Sequence, residues 1–182
     1  MGAPTQRPDL ETGYRMAESL RARLIRWGFN CFPAFRRSGA RLTYIADDWR
    51  EARLKLPLNW RTRNYVGTIY GGSMYAAVDG IYMVMLINVL GSEYIVWDKA
   101  GAIRYLRPGR ATLYARFLLD EQEIAAIRTL LDQQPVLERI YRIGLVDRDG
   151  VEHAWIEKTI HIRRKDRASR AAQASIVQGE QS

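Results

Sequence analysis

The sequence predicts an α+β domain: an antiparallel sheet wrapped around one central buried helix, with an N-terminal helix before it and a short helix inserted late. Three observations carry this. Residues 73–90 are apolar in nearly every direction around a helix, so that segment must be enclosed rather than laid on a surface. The flanking segments alternate apolar and polar residues with the period of half-buried strands. Several of those strands follow one another across short turn sequences such as "DRDGV", which joins antiparallel neighbours. One sheet and one helix would bury the alternating positions and leave the helix with apolar surface to spare. A dimer that extends the sheet and brings two such helices together would cover it.

Residues 10–28 read as an amphipathic helix, with Tyr14, Ala17, Leu20, Leu24 and Trp27 at helical spacing and Gly28 as its stop. Arg15, Arg21, Arg23 and Arg26 decorate the rest. A loop, "NCFPAFRRSG", follows. "ARLTYIADDW" reads as a strand and "EARLKLPL" as another, with Ala52, Leu54, Leu56 and Leu58 on one face. After the loop "NWRTRNYVG" comes the central helix, which Gly91 ends. "EYIVWDKAGAIRYLRPG" is a long strand bent near Gly101. In the next strand, "ATLYARFLL", Ala111, Leu113, Ala115, Phe117 and Leu119 point inward. Asp120 and Glu123 form a capping-box signal for a short helix ended by Pro135. Two last strands lie near 137–147 and 151–163. The organisation expected is an N-terminal extension over 1–9, one domain over 10–164 and a polar basic tail over 165–182.

Composition removes several function classes. The 182 residues are 47% hydrophobic and 26% charged, as in folded soluble chains. The polar start "MGAPTQRPDLETG" lacks the apolar segment of a signal peptide. The run Met74–Leu90 is short for a membrane span and carries Asp79 and Asn88, so no integral membrane protein is expected. Cys31 is the one cysteine, which excludes an internal disulfide and fits a reducing, cytoplasmic setting; it reads as a small buried thiol. Lys55, Lys99, Lys158 and Lys165 are the four lysines among 28 basic residues, so arginine dominates a net charge of +8. That pattern suits an anionic partner, and codon bias yields it without one. No recognition-helix or aromatic-interleaved basic motif speaks for nucleic acid. Two histidines and one distant cysteine make no metal set.

The chemistry concentrates at the start of the central helix. Gly71 and Gly72 allow close backbone approach, and the first free N–H groups of a helix can hold an anion or a developing oxyanion. The same pair also makes a tight helix entry without a ligand. Asp79 has Tyr75, Ala76, Tyr82 and Met83 as helical neighbours, so desolvation is expected to raise its pKa and suit it to base or nucleophile chemistry. Its alternative is a buried carboxylate satisfied by a hydroxyl. Asp79 lies eight residues past Gly71, about 12 Å along a helix axis. It therefore cannot serve a carbonyl held at its own helix start, and a shared site between two copies is the arrangement that lets both act.

At this point a resemblance enters. "NYVGTIYGG", Asn64 to Gly72, followed by Asp79, resembles the signature of hot-dog-fold thioesterases of the phenylacetate-degradation type. That pattern is Asn, two residues, Gly, two residues, His-Gly-Gly, then an acidic residue nine after the His. "IRYLRPGRATLYARF" is similar to the strand pair these proteins place after the central helix, and the resemblance covers roughly 40–163. The overall cast resembles an uncharacterised branch of the superfamily. It implies a hot-dog fold, a homodimer or tetramer, and hydrolysis of acyl thioesters of coenzyme A or acyl carrier protein, without a cofactor beyond the coenzyme A of the substrate. Carried over, the Gly71 and Gly72 amides bind the thioester carbonyl. Asp79 of the other chain activates water or attacks, and Asn64 positions substrate or water. Gly67 keeps its motif spacing and joins the substrate-binding set. Arg104, Arg107 and Arg110 are candidates for the coenzyme A phosphates. The departure is Tyr70, where the family has His: a phenol can orient the carbonyl or Asp79, or mark lost turnover.

The rival from another class is a non-catalytic acyl-thioester binder using the same pocket. Its basic N-terminal helix or "RRKDRASR" tail would contact DNA, an acidic carrier protein or a membrane. A hydratase is disfavoured, because His153, Trp155, Glu157, Thr159 and His161 share a strand face opposite Ala154, Ile156, Ile160 and Ile162, which places both histidines at the surface.

Overall fold

The structure, a computed structural model, describes residues 18–165. The predicted extension over 1–9, the first part of the predicted N-terminal helix and all but the first residue of the predicted tail lie outside them.

Helix α1 spans Leu20–Cys31 and α2 spans Pro33–Ser38. Ser19 caps α1, its hydroxyl accepting from the Ala22 N–H at 3.1 Å. Gly28 does not stop this helix: the Phe32 N–H still donates to the Gly28 carbonyl, so hydrogen bonding runs through it. Pro33 ends α1 and opens α2, where its missing N–H costs nothing. The expected loop thus contains a helical turn. The inward face of α1 also differs from expectation. Ala22 is buried, and Ile25 and Phe29 pack on the core, whereas Leu20, Leu24 and Trp27 are exposed. Cys31 is exposed as well, not a buried thiol.

Strands β1 (Arg41–Ile45) and β2 (Glu51–Leu56) pair antiparallel, and Ala52, Leu54 and Leu56 are buried as the alternation predicts. The central helix is two helices, α3 (Gly71–Val78) and α4 (Ile81–Leu90), not one over 73–90. Asp79 leaves the helix at ψ 133° and Gly80 takes a left-handed φ of 74°. The Gly80 N–H donates across to Asp98 Oδ2 at 3.1 Å, which replaces the helical bond that the break removes. The pair α3–α4 has the length and apolarity to cross a membrane. Here it lies in the core, with Met74, Ala77, Val78, Ile81, Met85 and Leu86 buried.

Strand β3 (Tyr94–Tyr105) follows, then β4 (Leu113–Leu118), α5 (Glu121–Gln133), β5 (Val136–Val146) and β6 (Glu152–Arg164). The six strands form one antiparallel sheet in the order β1-β2-β4-β5-β6-β3. β3 carries an irregularity between Asp98 and Ala100, close to the bend expected at Gly101. In β4, Leu113, Ala115 and Phe117 are buried and Leu119 just beyond it is too, whereas Ala111 is exposed. Asp120 caps α5 through the Glu123 N–H at 2.7 Å. Glu123 does not reach back; it holds Arg139 and accepts from the Tyr141 hydroxyl at 2.8 Å, tying α5 to the sheet. Burying a side chain such as Phe117 or Leu86 contributes about 1.5–3 kcal/mol. A single core between the helices and one sheet face therefore holds the described chain together. β3 pairs only with β6 among the described residues, so its other edge is open.

Candidate functional site

The segment leading to α3 is built around Asn64. Its Oδ1 accepts from the N–H groups of Val66 and Thr68 at 3.1 and 3.0 Å, and its Nδ2 donates to Thr68 Oγ1 at 2.9 Å. Gly67 supplies the left-handed residue, φ 82°, that closes this turn. Asn64 is thus engaged in shaping the loop, with one amide hydrogen to spare. The loop is anchored by the Ile69 N–H on the Gly109 carbonyl and the Tyr70 N–H on the Thr62 carbonyl, at 2.9 and 2.7 Å. These bonds deliver Tyr70 to the N-cap position of α3.

Tyr70 makes no side-chain cap, and no acidic residue lies in the first turn. Helices α1 and α5 have their capping hydroxyl and carboxylate; α3 does not. Its first amides lack an intrahelical partner, and the positive end of its dipole is left unneutralised. The paired glycines admit two tyrosines. A Cβ on Gly71 would lie 2.6 Å from the Tyr105 hydroxyl oxygen, and one on Gly72 would lie 2.4 Å from the Tyr70 ring. Both phenols stand beside a groove of about 540 Å³ that Gly71, Gly72, Leu106, Arg107 and Pro108 also line. Asn64 lines it too, while Gly67 does not.

Asp79 lies elsewhere. Lys158 Nζ, on β6, donates to Asp79 Oδ1 at 2.5 Å and sits 3.3 Å from both Asp98 Oδ2 and the Tyr75 hydroxyl. The lysine side chain is 4% exposed, whereas that of Asp79 is 53% exposed. Asp79 is therefore an ion-paired, half-open carboxylate and not one enclosed by apolar neighbours, as the helical neighbours suggested. The break at Gly80 turns it out of the core. Gly101 is part of this cluster: a Cβ there would meet the Tyr75 hydroxyl at 2.2 Å. Burial lifts the Asp98 carboxyl above the ordinary carboxylate range against the pull of Lys158. Burial alone would lower the Lys158 ammonium, but its bond to Asp79 and the charge of Asp98 raise it instead.

Of the three arginines proposed for phosphates, Arg107 lines the groove and donates to the Glu152 carbonyl at 2.9 Å. Arg104 stacks over Trp155, and Arg110 is exposed outside the groove. Neither histidine is a surface residue. His153 is buried between the Pro108 carbonyl and Asp147 Oδ2, at 3.0 and 2.9 Å, and so fixes the groove wall. The Asp147 carboxyl is held below its ordinary range by the His153 hydrogen bond. His161 lies under Trp97, ring centroids 3.9 Å apart. Two participants escaped sequence reasoning. Tyr105 came in only as part of a strand match. Lys158 had a signal: it occupies an inward position in the alternation Ala154, Ile156, Lys158, Ile160. Among the described residues no group of three His, Cys, Asp or Glu could hold a metal.

The groove can hold an anionic or polarised oxygen, while the carboxylate lies near the far end of α3. A family model described as a domain of unknown function, DUF4442, matches residues 21–162. A comparison with curated proteins gives no match. Among solved structures, a Pseudomonas aeruginosa protein of unknown function described as a probable thioesterase has 20% identity and a TM-score of 0.69, over 79% of this chain and 95% of that one. A thioesterase from Haemophilus influenzae has 15% identity and a TM-score of 0.56, over 75% and 87% of the two chains. A mutant thioesterase from Pseudomonas aeruginosa has 15% identity and a TM-score of 0.59, over 84% and 99%. At these identities the likeness establishes the fold, which is the hot-dog fold.

Proposed function

We propose, for a chain that belongs to the family of domains of unknown function DUF4442, that the groove at the start of α3 binds an acyl thioester and that the protein hydrolyses it. The observation that carries this reading is the uncapped, glycine-led start of α3 opening on a groove with Tyr70 and Tyr105 at its sides. Such a terminus favours a thioester oxygen most when that oxygen gains charge, so it stabilises attack more than binding. The substrate is a thioester of coenzyme A or of acyl carrier protein, and the position of Arg107 in the groove wall supports it, of the three arginines, as the partner of the phosphates.

Hydrolysis needs a base, and the groove of one protomer has no carboxylate or histidine in its lining among the described residues. The open edge of β3 supports a second copy as its source. Antiparallel addition across that edge brings the Tyr105 end of one strand beside the Asp98 region of the other, where Asp79 is held. The partner subunit's Asp79 then takes a proton from water as the water oxygen bonds to the carbonyl carbon. The carbon–sulfur bond breaks, the thiolate leaves with its electron pair and is protonated, and a carboxylic acid remains. Tyr70 donates to the bound thioester.

Lys158 favours a second reading, binding without turnover, because its ammonium already occupies Asp79 Oδ1, at 2.5 Å, an oxygen that would otherwise receive the proton of water. Hydrolysis of an acyl-CoA panel separates the two. The expected result is turnover in the wild type and a loss of about a hundredfold or more in kcat in Asp79→Asn, with acyl-CoA affinity retained. Tight binding without wild-type turnover selects the binder, and absence of both removes the thioester site.

A further inference from the structure

We infer that the outer face of α1 and the groove beside it dock the protein on an anionic lipid surface. Leu20, Leu24 and Trp27, at i, i+4 and i+7, form one stripe along α1 and are 75%, 70% and 67% exposed. The inner stripe, Ala22, Ile25 and Phe29, already anchors the helix to the core, so among the described residues the outer stripe packs against no part of the core. Beside it lies a groove of about 750 Å³ lined by Arg23, Arg26, Arg36, Arg41 and Arg61, with no acidic residue in its wall among the described residues. Arg26 is paired with Glu18. The other four meet no carboxylate among the described residues, and Arg61 stacks on the exposed ring of Trp60.

Bulky apolar side chains flanked by four arginines that meet no carboxylate among the described residues match an interface of acyl chains and phosphate headgroups. Tryptophan is favoured at that depth, and arginine reaches phosphate while its stem stays in apolar surroundings. A second copy of this chain fits worse, because a two-fold contact here would set the arginines of one copy against those of the other. An acidic protein would satisfy the arginines but leaves the exposed Leu20–Leu24–Trp27 ridge without a reason.

The test is co-sedimentation of the full chain with vesicles of phosphatidylcholine alone or with one-third phosphatidylglycerol, at low and physiological salt. Tryptophan emission and far-UV circular dichroism are read in parallel. Binding is expected to anionic vesicles only, with a blue shift in emission and weakening by salt. Leu24→Ser with Trp27→Ala should lower the partition coefficient at least tenfold. Arg23→Gln and Arg61→Gln, which leave the apolar ridge intact, should each lower it about fivefold. Equal binding to neutral vesicles, or binding unchanged in either variant set, overturns the proposal. So does wild-type indifference to vesicles, whether the stripe then serves an acidic carrier protein, in a pull-down lost in the same variants, or a second copy, in sedimentation equilibrium.

Discussion

Lys158 is the residue on which the candidate carboxylate depends. Its ammonium lies in the core face of β6, which is tolerable because Asp79, Asp98 and the Tyr75 hydroxyl all point at it. Lys158→Met removes the charge and leaves Asp98, whose Oδ1 already lacks a partner, held among the described residues only by the Gly80 N–H. Asp79 can return to water, so the expected cost is about 2–4 kcal/mol, read as a lower urea midpoint. The pH dependence has a definite sign. The folded protein holds the Lys158 proton more tightly than the unfolded chain does. Its contribution is therefore complete below the unfolded lysine value of about 10.4 and is lost as pH rises through the folded value. Wild type should lose stability in that alkaline window by an increment that Lys158→Met lacks; parallel curves would remove the linkage. Residue-scale legibility followed the same lines. The glycines and Asp79 were visible as a pattern, because backbone approach and a carboxylate in an apolar run are local features. What holds Asp79 was not, since its lysine is far away in sequence and the reading of β6 attended to the opposite face.

Among the elements, the capped ends were legible and the packed faces less so. Asp120 three residues before Glu123 is enough to place the start of α5, and the cap forms at 2.7 Å. Asp120→Ala should cost about 1 kcal/mol, measured by thermal or chemical unfolding. A cost near zero would mean the α5 end is held by Glu123, Arg139 and Tyr141 instead. Helix α1 has two apolar stripes of similar spacing. The smaller faces inward because Ala22 allows α1 close to β1, while the bulkier stripe would hold it off; periodicity alone does not separate the two. The break between α3 and α4 was hidden for a different reason. Glycine inside an apolar run is compatible with a helix until a tertiary acceptor claims its N–H, and here Asp98 does so. Gly80→Ala tests this. The position has open space, with Met83 Cε 3.9 Å from a built Cβ, but φ is 74°. The cost should be about 1–2 kcal/mol from backbone strain alone. A stabilised variant would show that the two helices prefer to merge.

At the scale of the whole molecule, the order β1-β2-β4-β5-β6-β3 leaves the strand after the central helices at the edge. β3 has twelve residues with one side unpaired among the described residues, and an edge of that length is a template for another strand. Its exposed residues include Trp97, Ala102 and Tyr105. Tyr105 stands at the groove and Asp98 beside the Asp79 pair, so the edge runs from one half of the proposed site to the other. Lysine at an exposed position in the middle of β3 would bring like charges together across a two-fold pairing and leave the β3–β6 ladder in place. Ala102→Lys is therefore expected to shift sedimentation equilibrium toward monomer while keeping the wild-type circular dichroism. Hydrolysis should fall with the dimer, because the Gly71 and Gly72 amides would lose the partner subunit's Asp79. Mixing Asp79→Asn with Gly71→Val chains sharpens the test: if each variant alone is inactive, a mixed dimer retains one intact site, and about half the wild-type activity per mixed dimer is expected from subunit independence. An active Ala102→Lys monomer would place the whole reaction within one chain, and the carboxylate across the edge would have no part in it.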